Sequence, residues 1–312
     1  MTVMVYAAIV VCGIVFVAAA VARAVWYARS PIHLRWELYP VPHERPDRVA
    51  HGGSYFEGSE WWLERRRPNI WGEIAVMVPE VLFLKALREF NPALWWRSFP
   101  FHFGLYLTAC AGVGLVAMAA VAQLGGRAMA AGPLWDVVAV IVAVTGALGI
   151  VGAMLGALAL LHRRITDATL RPYTTAGDVF NLLFFVVAFG ALGGGYLVRP
   201  AGAPGALSIA IGLLSWDGGL HLSPLLAVGL VLTAALLAYI PLTHMSHFIG
   251  KYFTYHAVRW DDAPLGHDGK MAAELARYLT YRPTWAARHI KVNGASTWAE
   301  IVTTNPTREH KS

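Results

Sequence analysis

The sequence predicts an all-α integral membrane protein: a five-helix bundle with its N-terminus outside, its C-terminus cytoplasmic, and a long cytoplasmic loop and tail. Three observations carry this. Charged residues make up 14% of the 312-residue chain and hydrophobic residues 57%, where an ordinary globular chain is about 25% charged. Five stretches reach the roughly 20 apolar residues that a helix needs to cross a bilayer core. The basic residues are also divided unevenly among the segments that join these stretches. The same composition excludes a disordered chain, a collagen-like repeat and a disulfide scaffold.

The first span, 1–22, is uncharged up to Arg23. It lacks the basic start of a signal peptide, and its apolar run exceeds the usual 7–15 or so residues of that signal's core, so it reads as a true span. The loop 23–100 is rich in tryptophan (Trp26, Trp36, Trp61, Trp62, Trp71, Trp95 and Trp96). Within it, 73–90 reads as an amphipathic helix at the membrane interface. The second span, 101–124, holds His102 and Gln123 as its strongly polar groups. The third, 134–161, has one acid, Asp136, near its start, and the fourth, 179–198, has no charge. The fifth, 221–250, opens at His221 and carries Pro241, His244 and His247 near its end. The stretch 203–214 is interrupted by Pro204 and Gly205 and is too short to span, so it reads as an interfacial part of a loop. The tail, 251–312, is mixed and polar, with a short helical run at 271–279.

Lysine and arginine set the orientation, because cytoplasmic loops retain them. Eleven lie in 23–100, three in 162–177 and nine after 242, which leaves only Arg127 and Arg199 for the other side. The N-terminus is therefore expected outside and the tail in the cytoplasm. The net charge of +6 follows from topology and is no nucleic-acid signature. The two cysteines, Cys12 and Cys110, both fall inside spans, and no CxxC pair occurs. This chain alone cannot ligate an iron–sulfur cluster or a cysteine-type zinc site.

Among the twelve histidines, three stand out. His102 lies about one turn into the second span, and His244 and His247 lie at the end of the fifth. Ionisable groups at membrane depth are costly and usually functional. Spans two and five run in opposite directions, so His102 and His247 fall at similar depth in the cytoplasmic leaflet. That is the arrangement one bis-histidine haem needs between two helices. A lone histidine near a span end is more often an interfacial residue; the matched pair brings the haem reading level with that one. Arg97 before His102, and Lys251 and Arg259 after His247, are cations for the haem propionates or simply members of the basic side. His162 and His221 sit at span boundaries. His33, His43, His51, His267, His289 and His310 read as ordinary residues of soluble segments.

The run Pro241-Leu-Thr-His-Met-Ser-His247-Phe-Ile-Gly-Lys251-Tyr-Phe-Thr-Tyr-His256-Ala-Val-Arg259-Trp260-Asp261-Asp262 resembles the end of the last span in membrane cytochrome b subunits. These are the gamma subunit of respiratory nitrate reductase and its relatives in sulfite-reductase-linked and heterodisulfide-reductase-like menaquinol oxidoreductase complexes. The second group is the closer match, through Trp298-Ala-Glu300 and through Arg163-Arg164-Ile-Thr-Asp167, Leu170-Arg171, Asp178 and Asn181-Leu-Leu. The resemblance implies a five-helix cytochrome b that exchanges electrons with menaquinone and docks a cytoplasmic iron–sulfur subunit of the heterodisulfide-reductase type. It assigns the haem iron to His102 and His247. The ligand positions of a second haem fall on Gly112 and close to Gly229, so one haem b is implied; His221 is an outer-side histidine with Met118 and Met129 as its candidate partners. A quinone headgroup needs a hydrogen-bond donor or proton carrier near the haem edge, for which His162, Asp178 and His244 have the right depth. Helix capping and interfacial solvation are their alternative roles. A haem-free anchor or transporter-like protein is the rival from another class, with no paired mid-membrane acids to support it. The cytochrome b of a hydrogenase or formate dehydrogenase is a further rival, with fewer spans and other histidine spacing.

Overall fold

The computed structural model describes residues 1–29, 70–255, 270–285, 290, 292 and 294–304. These are helical, with no strand among the described residues: α1 (Thr2–Arg29), α2 (Ile70–Phe83), α3 (Lys85–Phe90), α4 (Pro92–Met129), α5 (Pro133–Thr166), α6 (Ala176–Leu197), α7 (Ala206–Ser215), α8 (Pro224–Tyr239), α9 (His247–Tyr255), α10 (Lys270–Leu279) and α11 (Trp298–Thr303). Five elements are long and apolar enough to cross a membrane: α1, α4, α5, α6 and the stretch Pro224–Leu242 that contains α8. The chain divides into two compact units, the bundle (Met1–Tyr27 with Trp71–Lys251) and a second unit (Ala28–Ile70 with Tyr252–Ser312). In the second unit, α11 opens with a reciprocal cap between Thr297 and Glu300. The Trp298 amide at its start donates to the Tyr281 carbonyl at 2.8 Å.

The bundle is built from two tight helix pairs, α4 with α5 and α6 with α8, joined through α5 and α6. Small residues permit this, since without a hydrophobic drive between helices close backbone approach supplies the packing. A Cβ on Gly104 of α4 would strike the Ala153 amide of α5, and one on Gly156 would lie 2.6 Å from the Phe101 Cα. On the other pair, a Cβ on Gly195 would lie 2.6 Å from the Leu226 Cα, and one on Gly229 would strike the Leu192 backbone. Phe101, Ala153, Ala157, Phe185, Ala188, Phe189 and Leu236 form the core at the end carrying His102.

Helix α1 runs parallel to α8 and is pinned at both ends. The Thr2 hydroxyl donates to the Leu220 carbonyl at 2.6 Å. Arg23 donates through Nε to the Pro241 carbonyl at 3.2 Å and through Nη2 to the Leu242 carbonyl at 3.3 Å. From Thr2 to Arg23 the helix rises about 32 Å at 1.5 Å per residue, close to the ~30 Å of a bilayer core.

The elements differ from the sequence expectation at four places. Helix α4 starts at Pro92, well before 101, because Asn91 caps it: its Oδ1 accepts the Leu94 amide at 3.1 Å, and Pro92 fits a first helical position. The expected interfacial helix 73–90 is two helices, broken at Leu84, whose φ of 51° is left-handed. Most of the stretch 203–214 is helical, forming α7 from Ala206 on, which packs against α4 with Ile209 and Ala210 buried. The fifth span is interrupted. After α8 come two short turns, Ile240–Leu242 and His244–Ser246, with Thr243 extended between them, and α9 begins only at His247. Pro241 causes this: it lacks an amide to continue the helix and its ring clashes with the preceding turn.

Candidate functional site

The site is a histidine pair at one end of the bundle. His102 lies ten residues into α4. Its Nδ1 is 2.8 Å from the Ser98 carbonyl and 3.2 Å from the Ser98 hydroxyl. A carbonyl can only accept, so Nδ1 carries the proton and Nε2 keeps a free lone pair. Ser98 itself is buried. His247 is the first residue of α9, and its backbone amide donates to the His244 carbonyl. The two rings stand 6.1 Å apart, centre to centre, with their planes at 69°. His102 is half-buried and His247 more exposed, so the pair lies at the margin of the bundle.

This donor set fits a haem iron. Two imidazoles on opposite sides of a metal, each at a metal–nitrogen distance of about 2 Å, put their ring centres about 6 Å apart. A ligating histidine also typically gives its other N–H to a carbonyl, which fixes tautomer and ring orientation. Ser98 does this for His102. No group of three or more His, Cys, Asp or Glu side chains placed to hold a metal ion occurs among the described residues.

The remaining predicted residues are distributed as follows. Lys251, one turn beyond His247, bonds Glu80 Oε1 at 2.9 Å, and the other Glu80 oxygen accepts the Ala86 amide at 2.9 Å. Arg97 bonds the Ala93 carbonyl of its own helix. His244 points away from the pair, to α6: its Nε2 is 3.4 Å from Asn181 Nδ2, and the Tyr239 hydroxyl donates to Asn181 Oδ1 at 2.9 Å. That hydroxyl fixes the amide, so the Asn181 NH2 group faces a His244 nitrogen that accepts. The rings of Phe180, Phe184 and Tyr239 meet within 5.7–5.9 Å beside this group. Asp178 forms a reciprocal cap with Thr175 at the start of α6 and lies 3.5 Å from Arg164. His162 is exposed, and its carbonyl accepts from Thr166.

Gly112 faces open space on α4, whereas Gly229 is wedged against α6. His221 is exposed and Met118 is buried. The side chain of Met129, most of the tryptophan-rich loop, Arg259, Trp260, His33, His43, His51, His256, His267, His289 and His310 lie outside the described residues.

Sequence reasoning passed over Ser98, Glu80, Arg23 and Tyr239, and it used Asn181 only as part of a motif. Asn181 carried a usable signal: it is a lone amide inside an apolar span, and such a group needs partners. No family model matches the chain, and no curated protein or solved structure matches it either.

Proposed function

We propose that this chain is the haem b-carrying membrane subunit of a menaquinol/menaquinone oxidoreductase, passing electrons between the quinone pool and iron–sulfur clusters of a cytoplasmic partner. The carrying observation is the His102–His247 pair at 6.1 Å, with the His102 proton committed to Ser98. When bound, the haem supplies one-electron exchange. His102 and His247 hold its iron, and Ser98 keeps the His102 lone pair directed outward. Lys251, held by Glu80, places a positive charge beside the ligands. His244, with Asn181 and Tyr239, offers proton exchange at the same end. The Phe180, Phe184 and Tyr239 rings offer the flat aromatic contact that a quinone headgroup favours. Two free cysteines, Cys12 and Cys110, give the chain no cluster of its own, so the electrons go to or come from a partner that carries one.

The test is a reduced-minus-oxidised spectrum of the purified full-length protein, with a pyridine haemochrome count. One b-type haem per chain is expected, and His102→Ala and His247→Ala should each abolish it. A wild-type protein without b-type absorbance, or a normal spectrum in either variant, refutes the proposal.

A further inference from the structure

The break in the fifth span creates a problem that the span cannot solve alone. In a continuous helix the amides of Met245 and Ser246 would bond the carbonyls of Pro241 and Leu242. Here they turn to Thr243: Met245 to its hydroxyl at 3.3 Å and Ser246 to its carbonyl at 3.1 Å. The Pro241 and Leu242 carbonyls are left without helical partners, next to a membrane interior where unmet backbone groups are costly. Both are met by one side chain from another helix. Arg23 of α1 sends Nε to Pro241 and Nη2 to Leu242. The planar guanidinium fork suits two adjacent acceptors, and a cation at this position also opposes the negative end of α8. Beside the fork, Ala19, Ala22, Trp26, Pro241 and Leu242 line a crevice of about 240 Å³.

We infer that Arg23 is a positioning residue for His247. It fixes the end of α8 from which the His244–Ser246 turn and His247 project, and so sets the distance of His247 from His102. The geometric claim stands on the hydrogen bonds; its consequence for a cofactor rests on the haem reading above. The competing view makes Arg23 a mere anchor for α1. Thr2 separates the two, because it pins the same helix at the opposite end, to Leu220, far from the histidines.

Two measurements on the full-length protein decide it. The first needs no haem. With His102→Cys and His247→Cys placed in a Cys12→Ala, Cys110→Ala background, a short bifunctional thiol reagent should cross-link the two positions. Adding Arg23→Gln should lower the yield severalfold. Arg23→Lys, which keeps the cation but loses the fork, should fall between, and Thr2→Val should change nothing. The second is the low-spin electron paramagnetic resonance signal of the haem, which depends on the angle between the ligand ring planes. Arg23→Gln should shift it and Thr2→Val should not. Unchanged cross-linking in both Arg23 variants overturns the inference, as does a Thr2→Val effect equal to that of Arg23→Gln. If the wild type binds no haem but cross-linking still depends on Arg23, the haem reading falls and the positioning role stands. If haem binds and neither measurement responds to Arg23, the reverse holds.

Discussion

The imidazoles of His102 and His247 stand 6.1 Å apart with their planes at 69°, and the His102 ring is tied to the Ser98 carbonyl one turn earlier. A ring so restrained has less rotamer freedom left to lose on binding a ligand than a free one. The two histidines reach this geometry by different means. His102 sits within an unbroken helix, whereas His247 depends on a break at Pro241 and Thr243.

The first prediction separates His244 from His247. The two lie three residues apart, yet His244 turns to Asn181 of α6 and His247 to His102. His244→Ala should therefore retain the full haem spectrum. Its rate of haem reduction by a menaquinol analogue, followed by stopped-flow absorbance, should fall about 10²-fold or more, the usual contribution of a positioned acid–base group. Loss of haem from His244→Ala would instead make His244 the ligand.

The second concerns the glycines behind His102. Gly104 is two residues from His102, and a Cβ there would meet the α5 backbone, including the Gly149 carbonyl at 2.7 Å. Backbone cannot move aside as a side-chain tip can. Gly104→Val should thus destabilise the bundle by about 2–3 kcal/mol and reduce haem occupancy. Gly112→Ala on the same helix meets nothing within 4 Å and should be neutral or stabilising by about 0.5–1 kcal/mol. Reversible unfolding in mixed detergent would give both values, and equal effects of the two substitutions would contradict the packing argument.

The spans were legible in the sequence because apolar length and charge exclusion are local properties that solvent imposes on every membrane helix. The depth match of His102 and His247 was legible for the same reason: depth follows from counting along antiparallel helices. What could not be read was lateral. That His244 turns to α6 and not towards the pair depends on the extended Thr243, and that break shifts the helical phase of all that follows. The roles of Arg23 and Ser98 were hidden because each acts on a backbone carbonyl, which leaves no residue-type signature in the acceptor. The α2–α3 break at Leu84 was hidden too: a leucine at φ 51° has no propensity that announces it.

The third prediction tests the Glu80–Lys251 pair. The Glu80 side chain is 12% exposed and that of Lys251 37%, so the pair is partly screened and its worth must be discounted accordingly. Removing the cation alone leaves a mostly buried carboxylate less well compensated. Lys251→Met should cost about 1–2 kcal/mol. Adding Glu80→Gln should recover part of this, because the amide oxygen can still accept from Ala86 while the buried charge is gone. A double variant less stable than Lys251→Met alone would show that the carboxylate does not depend on Lys251.

The last prediction is that a second haem cannot be installed at Gly112 and Gly229. A bis-histidine site needs both side chains to converge on one space. Gly112 faces open surroundings, but Gly229 has the Leu192 backbone where its Cβ would be, so an imidazole there would have to push α8 away from α6. That pair of helices carries Asn181 on one side and the start of the His247 segment on the other, and separating them disturbs the existing histidine pair. The Gly112→His, Gly229→His protein should therefore show at most one haem by pyridine haemochrome, and a lower occupancy than wild type. Gly112→His alone should match wild type in both spectrum and count. Two haems per chain in the double variant would mean that α6 and α8 can part without cost, against the close backbone contacts at Gly195 and Gly229.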